Sequence, residues 1–411
     1  MKIVLLNDDM LPEARGGAAV VVDRLRRAFT EQGHEVMLIS THQDTANNVR
    51  NVQDGIGRIM QIPVRYDFRK RHRYCVSKPA GVLDAIDAAL REYKPDIVHA
   101  HNVHSSITYS ALRVAQRHTD SLFLTAHDTF LVSFGRVCGG AYERDALAGR
   151  GHHMRFTEHI QAVGRRYWPL RNSAIRRILE QTGTQVIAIS EALKIFLEAN
   201  GIRVSAVVHN GVEVNPPIGQ DAVGTFRHTH KLTGPTILYG GRMSEDKGSL
   251  ELLRAFPLVR KHCPNAQLLL LGDPERIASA LDMLSQQDRQ GVILAGWLPQ
   301  EQVRIAFAAA TVVTTPSIYL DSFNLMNIEA MAEGTPVVGT CFGGTPETIV
   351  DGVTGYVCNP HETSAYAQAL TTILSDSSLA KRMGDAARVH VVKEFSLEKQ
   401  AAQYMHLYSR A

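Results

Sequence analysis

Short continuous apolar runs recur along this chain, each followed by a loop and an amphipathic stretch. Ile3–Leu6 is the first, stopped by the polar and acidic residues Asn7, Asp8 and Asp9. Such a run, bounded by turn residues, is what a strand buried on both faces of a parallel sheet requires. A loop carrying Arg15, Gly16 and Gly17 follows, and then Val21, Leu25, Ala28 and Phe29 fall on one helical face before Gly33. Glu35–Ser40 is a second strand, and the runs at 94–101, 121–128 and 185–190 repeat the theme. Residues 131–165 hold glycines at 135, 139, 140, 149 and 151 and no sustained period. They are expected to form a long irregular loop, of the length that serves as a lid over a site.

The Pro/Gly-rich stretch 215–224 reads as a linker, after which the alternation restarts at 236–241. Further strands are expected at 267–272, 291–296, 311–317 and 336–340, and a helix at 324–333 closed by Gly334 and Pro336. Ser396 is placed to cap a last helix with Leu397, Ala401, Tyr404, Met405 and Tyr408 on one face. The pattern predicts an α/β protein of two domains, 1–212 and 213–392, with a terminal helix at 393–411.

Composition changes this picture little. Hydrophobic residues make up 45% and charged residues 21%, ordinary for a globular chain. A net charge of +3 gives no argument for nucleic acid, and none is expected as a partner. Five scattered cysteines without C-x-x-C spacing suit a reduced, cytoplasmic protein. The four-residue apolar run at the N-terminus is a strand and not a signal peptide. Two segments are dense in Arg and aromatic residues, 69–78 and 165–177. Each is either a solvated surface or a place of peripheral contact with anionic lipid at the inner membrane face.

The chemistry gathers around residues 321–329. Asp321 lies on the loop at the mouth of the predicted helix, where free N–H groups at Leu325 and Met326 favour an anion, and Glu329 lies inside it. Arg242 and Lys247 follow the strand at 236–241; a guanidinium forks onto phosphate oxygens and an ammonium supplies a point charge. His127 ends the strand at 121–128, at the carboxyl edge where open α/β sheets bind ligands. His99, His101 and His104 have the spacing of a metal site but no Cys, and their one carboxylate, Asp96, lies at the far end of the strand. The adjacent Asp8 and Asp9 lack the Asp-x-Asp spacing of a metal-binding pair, and no G-x-G-x-x-G follows the first strand. No metal and no cofactor are expected.

Asp321-Ser-Phe-Asn-Leu-Met-Asn-Ile-Glu329, continuing Ala-Met-Ala-Glu-Gly334-Thr-Pro-Val-Val, resembles the E-x7-E signature of the retaining glycosyltransferases of family GT4. Asp321 stands where the family has Glu, and Asn324 where it has Gly. Gly241-Arg242-Met-Ser-Glu-Asp-Lys247-Gly248 resembles its Gly-Arg-x-x-x-x-Lys-Gly, His127-Asp128 its His-Asp turn, and Asn210-Gly211-Val-Glu213 its Asn-Gly-Val-Asp turn. The resemblance implies the GT-B fold, with two Rossmann-like domains whose parallel sheets face a cleft and a terminal helix returning to the first domain. It implies metal-independent transfer of a sugar from a UDP- or GDP-linked donor to a saccharide or lipid-linked acceptor, by a hexosyltransferase-type enzyme of polysaccharide or glycolipid assembly. By the same resemblance, Gly16, Gly17, Arg242, Lys247, Asn324, Leu325 and Met326 meet the donor phosphates. Trp297 and Leu298 hold the base, Glu329 the ribose, and Asp321 and His127 the sugar. The residues also admit a small-molecule acceptor, an epimerase of the same fold, a nicotinamide oxidoreductase, or a protein that binds a sugar nucleotide without acting on it.

Overall fold

The structure is a computed structural model and describes residues 1–12, 16–43, 48–64, 74–273 and 280–411. The chain forms two compact units. The first holds Met1–Val137, Gly151–Gly211 and Leu397–Ala411, the second Cys138–Arg150 and Val212–Ser396.

The first unit is built on β1 (Lys2–Leu6), β2 (Glu35–His42), β3 (Arg50–Gln53), β4 (Arg58–Pro63), β5 (Ile97–Ala100), β6 (Leu122–Ala126), β7 (Gln185–Ala188) and β8 (Ala206–Val207). Their order in the sheet is β3-β4-β2-β1-β5-β6-β7-β8, parallel throughout except where β3 runs antiparallel to β4. Ile3, Val4, Leu5 and Leu6 are wholly buried, the reason β1 reads as unbroken apolar sequence. Strands β2 and β5 flank β1, so the winding of the chain reverses there, the kind of place where open α/β sheets bind ligands at the carboxyl ends of their strands. The helix Gly17–Glu31 buries Val21, Leu25, Ala28 and Phe29, the face its sequence predicts.

The terminal helix Leu397–Tyr408 belongs to this first unit. Tyr404 and Tyr408 bring their rings to 6.5 and 5.8 Å from that of Phe29. Tyr404 Oη lies 3.0 Å from Thr125 Oγ1 on β6 and Tyr408 Oη 2.5 Å from His99 Nδ1 on β5. Large aromatic rings supply the buried area, and their hydroxyls find partners in the sheet.

The second unit has β9 (Thr236–Gly240), β10 (Gln267–Leu271), β11 (Val292–Gly296), β12 (Val312–Thr315), β13 (Val337–Thr340) and β14 (Gly355–Cys358). They pair in parallel in the order β11-β10-β9-β12-β13-β14. The winding reverses between β9 and β12, which places the loops after those two strands side by side. Leu252, Phe256 and Val259 of the helix Ser249–His262 pack with Tyr366 and Leu370 of the helix Thr363–Ser375 over this sheet.

Several boundaries differ from the sequence reading. The expected linker is partly helical, because Gln220–Thr229 forms a helix that buries Phe226. Residues 131–165 are not one irregular loop; they contain the helices Gly140–Leu147 and Phe156–Val163. Their glycines flank the helices (Gly139 has φ 96°, Gly149 φ 64°, Gly164 φ 58°) and do not interrupt them. The segment Cys138–Arg150, sequentially within the first half, groups with the second unit. Cys138 pairs there with Tyr319, and Gly343 N–H donates to Tyr142 Oη at 3.0 Å. The hairpin β3–β4 also went unread; β3 is exposed along its length, so no apolar period marks it.

Tyr404→Ala should destabilise the protein by about 3–5 kcal/mol, the range for removing a buried aromatic ring, while Tyr404→Phe should cost about 0.5–1.5 kcal/mol for one hydrogen bond. Urea unfolding of the three proteins checks this, and equal stability of all three would show that the helix does not brace the sheet.

Candidate active site

Within the second unit the loop after β9 and the loop after β12 meet through a close backbone contact. Gly248 has φ 71°, and a Cβ there would lie 1.8 Å from the Pro316 carbonyl oxygen. Only glycine combines that left-handed backbone with such an approach. Ile318 N–H donates to the Asp246 carbonyl at 3.0 Å, so the two loops are laced together. The result is an ion pair. Lys247 Nζ lies 2.7 Å from Asp321 Oδ2 and 5.0 Å from the centre of the Tyr319 ring. Burial works against the Lys247 ammonium, but attraction to Asp321 and Tyr319 prevails and raises its pKa above the usual lysine value.

Asp321 is 7% exposed. Its Oδ2 also accepts from Ser317 Oγ at 3.2 Å and from Asn324 Nδ2 at 3.3 Å. A carboxylate one methylene shorter than Glu is thus held in the floor of the site. The turn behind it is equally tight: Gly343 has φ 64°, a Cβ there would meet Asp321 backbone atoms, and Gly344 N–H donates to the Asp321 carbonyl at 2.8 Å.

The helix Leu325–Ala332 opens on Asn324, whose Oδ1 accepts from Met326 N–H at 3.2 Å. Asn324 therefore caps the helix as well as binding Asp321. Asn327 fixes the helix from its buried side, accepting from Thr315 Oγ1 at 2.8 Å and donating to Thr348 Oγ1 at 3.0 Å. The Met326 side chain reaches Gly240 at the end of β9. Arg242 is exposed, with no hydrogen-bond partner for its guanidinium among the described residues, while Tyr239 Oη donates to its carbonyl at 2.9 Å. Glu329 is half-buried on the same helix. Trp297, 63% exposed, and Leu298 follow β11, two strands away from β9. The second unit thus joins Lys247, Asp321, Asn324, Leu325 and Met326 at one point, with Arg242 at the end of β9.

The first unit holds Gly16, Gly17 and His127. Gly16 precedes the helix Gly17–Glu31, no side chain caps that N-terminus, and a Cβ at Gly16 would meet open space. His127 follows β6, and its Nε2 lies 2.9 Å from His101 Nδ1. His101 Nε2 is buried without a partner among the described residues. Burial depresses this cluster: the pKa of His99 falls to about 3, that of His127 to about 4, and that of His101 well below the usual histidine value. Burial pushes Asp8 up to about 6, against the pull of three backbone N–H groups, and Asp128 likewise up to about 6. Those amides, Ser105, Ser106 and Ile107, lie 2.7 to 2.9 Å from the Asp8 oxygens, so this carboxylate pins the loop after β5.

Of the two basic segments, 69–73 lies outside the described residues. In 165–177, Arg171 is fully buried and donates to the Phe130 and Val132 carbonyls, so it is not part of any surface. Arg165, Arg166 and Arg177 are exposed. No described helix is long and apolar enough to cross a membrane.

Two parallel-sheet α/β units, with a cation–carboxylate pair at the reversal point of the second, define the class: a GT-B glycosyltransferase. Residues 15–215 match the family model described as Glycosyltransferase Family 4, and residues 225–390 that described as Glycosyl transferases group 1. A glycogen synthase from Mycobacterium tuberculosis is 25% identical, over the whole of this chain and 95% of its own. Among solved structures, sucrose-phosphate synthase from Thermosynechococcus elongatus shares the fold at a TM-score of 0.73 and 23% identity, covering 100% of this chain and 98% of that one. Anabaena HepE in complex with UDP and glucose does so at 0.72 and 18%, each chain covered in full. The chain belongs to the GT4 family of glycosyltransferases.

Sequence reasoning missed Tyr319, Ser317, Asn327 and Tyr142. Asn327 left a signal, a polar residue on the buried side of an apolar helix; the others left none.

The cluster in the first unit has a pH consequence. Below pH ~6.5 the unfolded chain protonates His99, His101 and His127 while the folded chain does not, which removes stability as pH falls. Asp8 and Asp128 act oppositely, binding protons in the folded chain from about pH 6 downward. Three imidazoles outnumber two carboxyls, so stability should decline from pH 7 to pH 5. His99→Gln should flatten the decline by up to about 1.4 kcal/mol per pH unit. Urea unfolding across that range checks it, and an unchanged slope in the variant would contradict it.

Proposed function

We propose that this glycosyltransferase moves a sugar from a UDP- or GDP-linked donor to a saccharide or lipid-linked acceptor, with retention and without a metal ion. The observation that carries the reading is Lys247 held against Asp321 at the mouth of the helix Leu325–Ala332, with Arg242 in the same loop after β9. Preorganised cations and a helix N-terminus stabilise the negative charge that grows on a leaving diphosphate. HepE in complex with UDP-glucose shares the fold, which supports a nucleotide sugar as the donor.

In this reading the bond from C1 of the sugar to the diphosphate oxygen breaks. The acceptor oxygen bonds to C1 on the same face, and its proton passes to the departing phosphate, so no carboxylate nucleophile is needed. Arg242 and Lys247 hold the diphosphate. Asn324 turns aside to release Met326 N–H to a phosphate oxygen. Glu329 accepts from the ribose hydroxyls, Trp297 and Leu298 flank the base, and Gly16 and Gly17 expose amides to the donor. Asp321 orients Lys247 and accepts from a sugar hydroxyl.

The acceptor belongs at a membrane surface. Phe156, Ile160 and Leu170 are exposed at 59%, 42% and 64%, in a segment that also exposes Arg165 and Arg166. Apolar side chains among cations suit an anionic bilayer.

Thermal shift against UDP, GDP, ADP, dTDP and their sugars, with and without Mg²⁺, tests the donor site. A nucleotide at ~100 times its Kd should stabilise the fold by about 2.7 kcal/mol. With the donor so found, Lys247→Ala should lower kcat/KM on the order of a hundredfold or more. Binding of no nucleotide, or a full-speed Lys247→Ala, would overturn the reading. For the surface, sedimentation with anionic but not zwitterionic vesicles is expected, weakened in Ile160→Glu/Leu170→Glu; equal partition to both would refute it.

A further inference from the structure

Strands β5 and β6 are parallel neighbours in which His99 pairs with Phe123 and Ala100 with Leu124. The residues just past their carboxyl ends, His101 and His127, therefore emerge side by side. The imidazoles meet edge to edge: His101 Nδ1 to His127 Nε2 is 2.9 Å, with the ring planes 27° apart and the centroids separated by 5.2 Å. That separation is the N···N distance plus roughly one ring radius at each end, so the hydrogen lies close to the line between the rings. His99 does not compete for either ring, since its Nδ1 is engaged by Tyr408 Oη at 2.5 Å and its Nε2 by Thr125 Oγ1 at 2.8 Å.

One proton sits between the two facing nitrogens, and burial keeps both imidazoles uncharged. If His127 supplied that proton, His101 would carry its own on Nε2. This atom is sealed from water and has no acceptor among the described residues. Proteins avoid an orphaned buried N–H more strictly than a bare acceptor. A free imidazole slightly prefers its proton on Nε2; the unpaired buried donor outweighs that preference here.

We infer that His101 is a positioning residue for His127: it donates its Nδ1 proton to His127 Nε2 and holds His127 as the Nδ1–H tautomer. His127 then meets a ligand as a neutral hydrogen-bond donor, suited to an oxygen of a sugar and not to removing a proton. The ligand in that statement rests on the proposed function; the tautomer does not.

Long-range ¹H–¹⁵N spectra of the full chain, labelled at histidine nitrogens and assigned with His127→Ala, read the tautomer directly at pH 7. Expected are a protonated Nδ1 and an unprotonated Nε2 on His127. His101→Leu should leave the two nitrogens averaged. His101→Asn, whose amide N–H falls near the place of Nδ1–H, should restore the wild-type pattern. A protonated Nε2 on His127 in the wild type, or a pattern unmoved by His101→Leu, overturns the inference. Should the leucine variant fail to fold, the wild-type and asparagine spectra still decide it. With a donor identified, kcat/KM should fall about tenfold in His101→Leu and recover in His101→Asn at unchanged Tm. If no donor is ever found, the function fails while the spectra still judge the tautomer.

Discussion

A parallel strand buried on both faces must satisfy every backbone N–H and C=O in its ladder, and it reaches its parallel neighbour by a crossover, most often through a helix. That constraint shapes both units. Each sheet grows outward from one central strand, then resumes on that strand's other side, β1 to β5 in the first unit and β9 to β12 in the second. At the reversal adjacent loops diverge, and no crossover covers the carboxyl ends of the two strands. Asp8 and His101 occupy one such place; Lys247 and Asp321 occupy the other.

The two places treat charge in opposite ways. In the second unit a close glycine contact brings an ammonium and a carboxylate to 2.7 Å, and the carboxylate keeps the Lys247 ammonium charged against the pull of burial. In the first unit no cation among the described residues pairs with the histidines beside His127, and burial leaves them uncharged. Fixed positive charge suits an anion, whereas neutral imidazoles can only donate or accept hydrogen bonds.

Asp321 and Asn324 are the two departures from the family signature, and they act together. The shorter carboxylate sits low enough to hold Lys247 and receive Asn324 Nδ2, while Asn324 Oδ1 closes the helix by taking Met326 N–H. Lys247, Asp321, Asn324 and the Met326 amide are thus each paired within the chain itself.

Periodicity in the sequence was enough to read β1, β9, β12, the helix at 325–332 and the buried face of the terminal helix. Local rules govern such features: apolar runs for buried strands, the 3.6-residue repeat for helices, glycine and proline for their ends. The family signature likewise drew attention to Arg242, Lys247, Asp321 and Glu329. It could not show that Lys247 and Asp321 bind each other, because that contact depends on two loops 74 residues apart meeting at Gly248. Nor could it show that Arg171 lies buried while its neighbours are exposed, or that Cys138–Arg150 leaves the first unit for the second. The His-x-His at 99–101 was visible but silent. Which nitrogen faces which partner is decided only when β5, β6 and the terminal helix pack, since hydrogen-bond direction is a property of neighbours in space and not of neighbours in sequence.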